Sequence, residues 1–220
     1  MLFRSFLFIG NSYTYVHNVP VLFEKLANEN EKNITVDSVT KGARKLYENL
    51  DPADEKHGEI ISLTAQKEYD VLILQEQSYL GITDYKSFEK GVLGLNKLVS
   101  PKQTVLYATW GRKEGCPLLQ TLGLNSEEMF LALEKAYLQA AKTIQADVSP
   151  VGRCFNEITK QYGDIDLYSP DLSHQSYIGS CVAAICHYKT VFGEMPATCA
   201  SLELDAGVYQ KISPIIKDSI

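Results

Sequence analysis

The stretch LFRSFLFIGNSYT, residues 2–14, joins an apolar run to an abrupt turn. The apolar and aromatic run at residues 2–9 is typical of a buried strand. Gly10 permits a sharp turn, and Ser12 follows it at the mouth of the next helical segment. Such a turn can present an exposed hydroxyl, but Ser12 or Thr14 could equally cap a helix. We therefore expect a first strand that ends in a loop whose serine is either structural or a nucleophile.

The rest of the chain alternates short apolar runs with longer segments of helical period, which is typical of a parallel sheet covered by helices on both faces. Further strands are predicted at residues 34–39, 70–74 and 104–109, with a weaker one at 147–151. Helices are predicted at residues 43–50, 59–67, 85–99, 127–145 and 176–192, and one more begins between Asn18 and Pro20. No repeat or Pro/Gly/Ser-rich linker divides the chain. We expect one α/β domain over residues 1–220, a flavodoxin-like three-layer α/β/α sandwich with a five-stranded parallel sheet.

The composition limits the classes of partner. The chain has 220 residues, of which 45% are hydrophobic, and a formal net charge of −6. This charge argues against a broad surface for nucleic acid or for an anionic membrane. No run reaches the ~18 to 20 apolar residues that a membrane span requires. We therefore expect a small-molecule or carbohydrate substrate as the partner, and neither nucleic acid nor a membrane.

The cysteines suggest a reducing compartment. They are odd in number, form no CxxC pair and stand at no zinc-ligand spacing with a histidine: Cys116, Cys154, Cys181, Cys186 and Cys199. Buried free thiols are the expected state. The N-terminal apolar run is short and lacks the small residues of a secretory cleavage site, so we interpret it as a strand. We expect a cytoplasmic protein with no metal and no cofactor, although a leader removed beforehand would leave no trace in this sequence.

A second notable segment, DLSH at residues 171–174, stands before the last predicted helix. In open parallel sheets the ligand lies beyond the carboxyl ends of the strands, so segments that follow strands are the places to look for chemistry. An activated serine needs a base within hydrogen-bond reach, and the base needs a group on its other ring nitrogen. Asp171 and His174 can supply both from one tight loop. In isolation, however, the same pattern also fits a capping aspartate beside a surface histidine.

Taken together, FIGNSYT at residues 8–14 and DLSH resemble the serine and histidine blocks of the SGNH (GDSL-like) esterase and lipase superfamily, and the resemblance spans most of the chain. It implies the SGNH hydrolase fold and a Ser-His-Asp triad. Ser12 would be the nucleophile, His174 the general base and Asp171 the carboxylate that orients this base. Asn11 stands where the commonest form of the serine block has an aspartate, but that position is not the catalytic aspartate.

The resemblance also implies an oxyanion hole. Gly42, just after the second predicted strand, matches the family glycine whose backbone N–H helps to hold the oxyanion. The backbone N–H of Ser12 would be a second donor. The family's third donor is an asparagine in a Gly-x-Asn-Asp segment, whereas this chain reads LQEQS at residues 74–78. Gln77 falls at the asparagine position and Gln75 at the glycine, and either amide could donate to an oxyanion. Subfamilies with a glutamine-rich block of this kind are similar to carbohydrate acetylesterases.

Other residues at the same edge of the sheet have more than one interpretation. Glu76 would oppose a developing oxyanion if its charge pointed inwards, so we expect it to face away or to be neutralised by Arg44 or Arg112. Trp110, the only tryptophan, is either a core residue or an aromatic platform for a sugar ring or an acyl group. Tyr13, beside the candidate nucleophile, is expected to line the same substrate-binding cleft.

The resemblance therefore implies a serine esterase that hydrolyses small esters through an acyl-enzyme, with O-acetyl groups on carbohydrates as the expected substrates. Two alternatives remain open. An acyltransferase could use the same triad if a sugar hydroxyl replaced water. A catalytically inactive carbohydrate-binding domain could keep the fold, because the family asparagine is missing.

Overall fold

A five-stranded parallel sheet forms the centre of the fold. The structure is a computed structural model and describes residues 4–220 of the chain. The strands are Arg4–Gly10 (β1), Ile34–Thr40 (β2), Val71–Leu74 (β3), Gln103–Tyr107 (β4) and Asp147–Ser149 (β5). They lie in the order β2-β1-β3-β4-β5 with every pair parallel, which confirms the predicted α/β class. The start of the first predicted strand, residues 2 and 3, lies outside the described residues.

Helices connect the strands and cover both faces of the sheet. They are Ser12–Tyr15 (α1), Val19–Glu29 (α2), Glu55–Gln66 (α3), Leu80–Thr83 (α4), Tyr85–Val99 (α5), Pro117–Leu122 (α6), Ser126–Ile144 (α7), Val151–Gln161 (α8), Tyr177–Phe192 (α9) and Ala206–Ser219 (α10). Short 3₁₀ turns occur at Val16–Asn18, Leu46–Leu50 and Ala200–Leu202. Within residues 4–220, no helix is long and apolar enough to cross a membrane.

The central strand β1 contributes to two hydrophobic layers, because successive side chains of a strand point to opposite faces. Phe6 and Phe8 are buried in the layer that contains α2, α8, α9 and α10. Leu7 and Ile9 are buried in the opposite layer, with α3, α5 and α7. Burial on both faces explains why this strand has a continuous apolar sequence rather than an alternating one.

Five predictions of local structure were wrong. The helix predicted at residues 43–50 is only a 3₁₀ turn, and four helices, α4, α6, α8 and α10, were not predicted. The signal for α8 was present, since its buried residues Val151, Cys154, Phe155 and Ile158 follow helical spacing. In α10, the interior Pro214 disguised the helical pattern.

The five cysteines are free thiols. Four of them are buried, and Cys199 is partly buried. The sulfurs of Cys154 and Cys186 lie 3.3 Å apart between α8 and α9. Burial raises the pKa of the Cys186 thiol well above its usual value, and contact with Cys154 acts in the same direction. These thiols therefore pack as small apolar groups in the core.

The strand order places a topological switch point between β1 and β3. The chain proceeds from β1 to β2 on one side of the sheet, and then crosses to β3 on the other side. A crevice forms where the connections diverge, at the carboxyl ends of the two central strands. The segments that follow these strands begin with Asn11 and Gln75, so the sheet brings the serine block and the LQEQS segment together.

Candidate active site

The loop after β1 is held in one conformation by buried hydrogen bonds to Asn11. Its backbone N–H donates to Gln75 Oε1 at 2.9 Å, and its side-chain Nδ2 donates to the carbonyl of Arg44 at 3.0 Å. Asn11 Oδ1 accepts from the backbone N–H of Tyr13 at 3.2 Å and so caps α1. Ser12 is the first residue of this helix. The asparagine at the position of the usual aspartate thus has a structural task, which is to link three segments behind the serine.

Gly10 has no room for a side chain. A Cβ there would lie 2.4 Å from Thr14 Oγ1 and 2.8 Å from Gln75 Oε1. Thr14 Oγ1 itself donates to Gln75 Oε1 at 3.0 Å. The glycine therefore permits the close approach that orients Ser12, which is a more specific reason than the turn alone.

The DLSH segment forms a tight loop closed by an antiparallel bridge between Tyr168 and Gln175. Asp171 Oδ1 accepts from the backbone N–H groups of Ser173 and His174, each at 2.9 Å. Leu172 has a φ of +61°, a left-handed conformation that costs energy for a residue with a side chain. This turn brings the aspartate back against the histidine that follows it.

Three side chains form a continuous chain of hydrogen bonds across the switch point. His174 Nε2 lies 2.8 Å from Ser12 Oγ, and His174 Nδ1 lies 2.5 Å from Asp171 Oδ2. With Nδ1 protonated and donating to the carboxylate, Nε2 is free to accept from the serine hydroxyl. The structure thus brings together all three residues of the predicted triad in the order that proton transfer requires.

Asp171 is ionised in this arrangement. Burial raises the pKa of its carboxyl group, but the hydrogen bonds from the His174 side chain and from the backbone N–H groups of His174 and Ser173 outweigh that effect. The net pKa lies below the usual value. Its side chain remains 48% exposed, so bulk solvent screens part of this stabilisation.

Gln175 ties the two loops together. Its Nε2 donates to the carbonyls of Tyr13 and Val16, each at 3.1 Å, and its side chain is fully buried. The sequence motifs do not include this residue. The only signal available was its position directly after the histidine.

A cavity of about 140 Å³ lies beside the serine. Its walls come from five segments of the chain: Asn11, Ser12, Tyr13, Ala43, Gln77, Ser78, Arg112 and His174. Gln77 Oε1 accepts from the backbone N–H of Tyr79 at 3.2 Å, which orients the amide. Its Nε2 has no hydrogen-bond partner among the described residues, so this donor is available to a ligand.

Gln75 does not face this cavity, which corrects its candidacy as a donor. The side chain is buried, its Oε1 accepts from Asn11 and Thr14, and its Nε2 donates to the carbonyl of Glu76. The amide oxygen is therefore committed to the segment after β1, and the amide nitrogen to the backbone after β3. Of the two glutamines, only Gln77 is placed to contact a substrate.

Gly42 lies one residue away from the cavity wall. Ala43, with a left-handed φ of +58°, lines the cavity instead. A Cβ at Gly42 would lie 3.2 Å from the Tyr15 hydroxyl, so the glycine permits a close contact with α1. The backbone N–H groups of Gly42 and Ala43 form no hydrogen bond with another described residue. The segment therefore carries unused donors, and its residue on the cavity wall is Ala43, which the resemblance did not indicate.

Glu76 is neutralised in a way that the sequence did not indicate. Neither predicted arginine is its partner, since Arg44 pairs with Asp54 at 2.6 Å and Arg112 contacts Ser78. The buried Glu76 carboxyl accepts from the backbone N–H groups of Gln77 at 2.6 Å and Leu46 at 3.0 Å. Burial raises its pKa to about 8, in spite of these two hydrogen bonds, which lower it. At neutral pH the group is therefore mostly protonated and does not oppose an oxyanion.

This raised pKa predicts a pH-dependent stability. The unfolded chain releases the Glu76 proton near pH 4.5, whereas the native protein keeps it until about pH 8. The native state therefore loses stability as pH rises through this window. We expect the free energy of unfolding of Glu76→Gln, relative to that of wild type, to increase by about 2 to 5 kcal/mol as the pH rises from 5 to 9. Urea unfolding at several pH values measures this difference. For Glu157→Gln, at an exposed position, the difference from wild type in the free energy of unfolding should not change with pH. The same independence of pH for Glu76→Gln would contradict the prediction.

Trp110 is a core residue and not an exposed sugar platform, which corrects one of its two interpretations. The indole is fully buried and stacks between Tyr13, at a centroid distance of 4.6 Å, and Phe155, at 4.2 Å. Its Nε1 donates to the carbonyl of Ser173 at 3.1 Å. The tryptophan therefore stabilises the loop at residues 171–174 through a hydrogen bond to its backbone.

Tyr13 is also largely buried, although it lines the cavity. Its hydroxyl lies 3.2 Å from Ser173 Oγ, and its ring makes an edge contact with the His174 imidazole at 5.3 Å. This residue forms the floor of the cavity and packs against the imidazole of the candidate base.

The other histidines do not approach Ser12. His57 Nδ1 contacts the carbonyl of Asn49 at 2.9 Å, and the ring of His17 packs edge-on against Tyr177. His187 is buried on α9, where burial lowers its pKa to about 3 and keeps it neutral. Among the described residues, no group of three or more His, Cys, Asp or Glu side chains could hold a metal ion.

Solved structures with the same fold are known, although no protein-family model and no curated protein matches this sequence. A candidate SGNH hydrolase from Slackia heliotrinireducens is 26% identical with a TM-score of 0.77, over 86% of this chain and 100% of that one. A DUF4886 family protein from Bacteroides uniformis is 18% identical with a TM-score of 0.78, over 99% and 95% of the two chains. A carbohydrate acetylesterase from Sinorhizobium meliloti is 14% identical with a TM-score of 0.61, over 86% and 99%.

Proposed function

Because this chain belongs to the SGNH, or GDSL-like, superfamily, we propose that it is a serine esterase that hydrolyses small esters, with O-acetyl groups on carbohydrates as its substrates. The observation that carries the proposal is the unbroken hydrogen-bonded chain from Ser12 through His174 to Asp171. It ends at a cavity with unused N–H donors, which is the geometry that acyl transfer to a serine needs.

In the first step, Ser12 Oγ attacks the ester carbonyl carbon and its proton moves to His174 Nε2. The distance of 2.8 Å is within reach for direct proton transfer. The imidazolium that forms is stabilised by the ionised Asp171 on its other nitrogen. His174 then gives the proton to the alcohol oxygen, the C–O bond of the ester breaks, and an acyl-enzyme remains.

In the second step, water attacks the acyl carbon while its proton moves to His174 Nε2. The bond between this carbon and Ser12 Oγ then breaks, His174 returns the proton to Ser12 Oγ, and the carboxylic acid leaves. Both tetrahedral intermediates carry a negative oxygen. The backbone N–H groups of Ser12 and of the Gly42–Ala43 segment and the Nε2 of Gln77 are the proposed donors to this oxygen. The protonated Glu76 holds the Gln77 backbone and adds no opposing charge.

The choice of substrate rests on two cavities and on the comparisons. The cavity of about 140 Å³ beside Ser12 has room for only a small acyl group. A larger cavity of about 680 Å³ shares Ala43 with it and is lined by Lys41, Tyr47 and Lys90. This arrangement offers a polar, partly aromatic space for the alcohol part of the ester. The similar structures include a carbohydrate acetylesterase and an acetyl xylan esterase.

The proposal is tested with a fluorophosphonate probe and a natural type of ester. We expect the probe to add its mass to the peptide that contains Ser12, and the protein to release acetate from O-acetylated xylo-oligosaccharides. Absence of both labelling and acetate release would contradict an esterase and favour a binding domain. Transfer of the acetyl group to an added sugar in preference to water would identify an acyltransferase.

Gln77→Ala tests the proposed side-chain donor. We expect kcat for 4-nitrophenyl acetate to fall by a factor of ~10² to 10³, the usual effect of losing one oxyanion donor. The variant should remain folded. Gln66→Ala, an exposed glutamine on α3, is the control and should leave kcat unchanged. A decrease of less than about tenfold in Gln77→Ala would exclude this amide as a donor.

A further inference from the structure

One positive charge at the cavity has no counter-charge within the part of the chain that the structure describes. Arg112 follows β4 and lines the same cavity as Ser12 and His174. Its Nη2 donates to Ser78 Oγ at 2.7 Å. Its Nε and Nη1 are shielded from solvent and have no hydrogen-bond partner among the described residues. A guanidinium with unused donors therefore stands beside the candidate nucleophile.

Two other cations near the sheet edge have a carboxylate partner. Arg44 lies 2.6 Å from Asp54, and the neighbouring Lys113 lies 2.9 Å from Asp166. Arg112 forms no such ion pair with a described carboxylate, and its guanidinium carbon lies 5.4 Å from the centre of the Tyr13 ring. A guanidinium stays protonated at every pH at which a protein is folded, so the charge cannot be lost to relieve the cost of its burial.

The two carboxyl groups of the site are committed elsewhere. Asp171 binds His174 and two backbone N–H groups, and Glu76 is buried against the backbone of Leu46 and Gln77. A partly buried charge without a partner is unfavourable unless something else brings the opposite charge. In this cavity, the substrate is the remaining source of that charge.

We propose that Arg112 binds a carboxylate of the substrate, so that the protein prefers esters that carry a carboxylate a few bonds from the scissile carbonyl. This inference rests on the proposed esterase function and narrows its substrate class. The planar guanidinium matches a carboxylate through two parallel hydrogen bonds, which is a stronger and more directional interaction than a neutral hydroxyl would offer. The net charge of −6 does not oppose it, because the local charge at the cavity decides binding there.

The small size of the cavity limits where the carboxylate can lie. Ser12 and Arg112 line the same space of about 140 Å³, so a group that reaches both must be short. The carboxylate can belong either to the acyl part or to the alcohol part of the ester. The two sources differ in which half of the product carries the charge, so matched esters distinguish them.

The experiment compares charged esters with uncharged esters of the same shape. For the acyl part, the pair is monoethyl succinate and the ethyl ester of succinamic acid. For the alcohol part, the pair is acetoxyacetate and acetoxyacetamide. We expect wild type to show a kcat/KM at least about tenfold higher for the charged member of one pair, the usual effect of a hydrogen bond between charged groups. 4-Nitrophenyl acetate serves as the neutral reference for esterase activity.

Arg112→Gln should abolish this preference while it changes kcat/KM for the uncharged esters much less. Arg112→Lys keeps the charge without the planar fork and should retain an intermediate preference. Arg153→Gln, which removes an arginine that pairs with Glu134 outside this cavity, is the control and should behave as wild type. An unchanged preference in Arg112→Gln would overturn the assignment to this residue.

Wild type alone decides the substrate class if the variants fail to fold. Equal or lower kcat/KM for the charged member of both pairs would overturn the inference, even though hydrolysis of 4-nitrophenyl acetate would leave the esterase proposal intact. If no ester is turned over and Ser12 is not labelled by a fluorophosphonate, the esterase proposal itself fails. The two failures are therefore distinguishable.

Discussion

Ser12→Ala is expected to lower kcat for 4-nitrophenyl acetate by at least about 10⁴-fold and to abolish labelling by a fluorophosphonate. The hydroxyl is the only group of this side chain that can form the acyl-enzyme, and His174 Nε2 lies 2.8 Å from it. Steady-state kinetics and intact-protein mass spectrometry measure the two effects. Circular dichroism should show an unchanged fold, because the substitution removes one partly exposed oxygen.

Ser62→Ala is the matched control for this variant. It removes the same atom from an exposed position on α3, so we expect wild-type kinetics and full labelling at Ser12. If Ser12→Ala keeps more than about one tenth of the wild-type kcat, Ser12 is not the nucleophile. The role of His174 as its base would then have no support either.

Asp171→Asn is expected to reduce kcat by about 10² to 10⁴, at similar stability and with a smaller change in KM. An asparagine amide that donates to His174 Nδ1 would favour the tautomer with its proton on Nε2, which cannot accept from Ser12. The upper limit applies to a buried aspartate, and Asp171 is 48% exposed, so water can partly replace it. Stopped assays over the pH range in which the protein is folded measure the effect.

Asp164→Asn is the control, because Asp164 is an exposed aspartate on the same stretch of chain that pairs with Lys211 at 2.5 Å. It should leave kcat unchanged. A loss of less than about threefold in Asp171→Asn would show that the hydrogen bond to His174 Nδ1 does not contribute to catalysis. The pH dependence of stability offers a second readout. Since the pKa of Asp171 lies below its usual value, the stability that its hydrogen bonds add is lost as pH falls through that pKa.

Local patterns allowed much of the fold to be predicted. The strands were predicted from short runs of β-branched and apolar residues, of which β5 is the weakest. The helix α5 was predicted with both of its observed ends. Where the pattern was interrupted, the prediction failed. Pro214 concealed α10. The helical spacing of α8 was intact but was overlooked, and its first turn contains Gly152, where a Cβ would lie 2.2 Å from the carbonyl of Thr109. The glycine is required by close packing against the segment after β4, and a local sequence pattern does not show such a contact.

The candidate site, like the fold, could be predicted from the sequence only in part. Ser12, Asp171 and His174 could be singled out from the sequence because their two short segments together resemble the serine and histidine blocks of the SGNH superfamily. The roles of Gln75, Gln77 and Trp110 could not be separated, since an amide or an indole beside a strand end can point to either side. Arg112 was considered only as a partner for Glu76, and its place in the cavity depends on how the segment after β4 turns.

The sequence alone thus specified the α/β class, the first strand and the two segments that carry a serine and a histidine, because these depend on residue types at short spacing. The folded chain decided which groups meet. Ser12 and His174 are 162 positions apart, and the parallel sheet places them 2.8 Å from each other at its switch point. Burial then raised the pKa of Glu76 and committed Gln75 to the loop behind the serine, and it left Arg112 without a counter-charge among residues 4–220. These properties arise from desolvation and from contacts between distant segments, and short-range sequence patterns contain no measure of either.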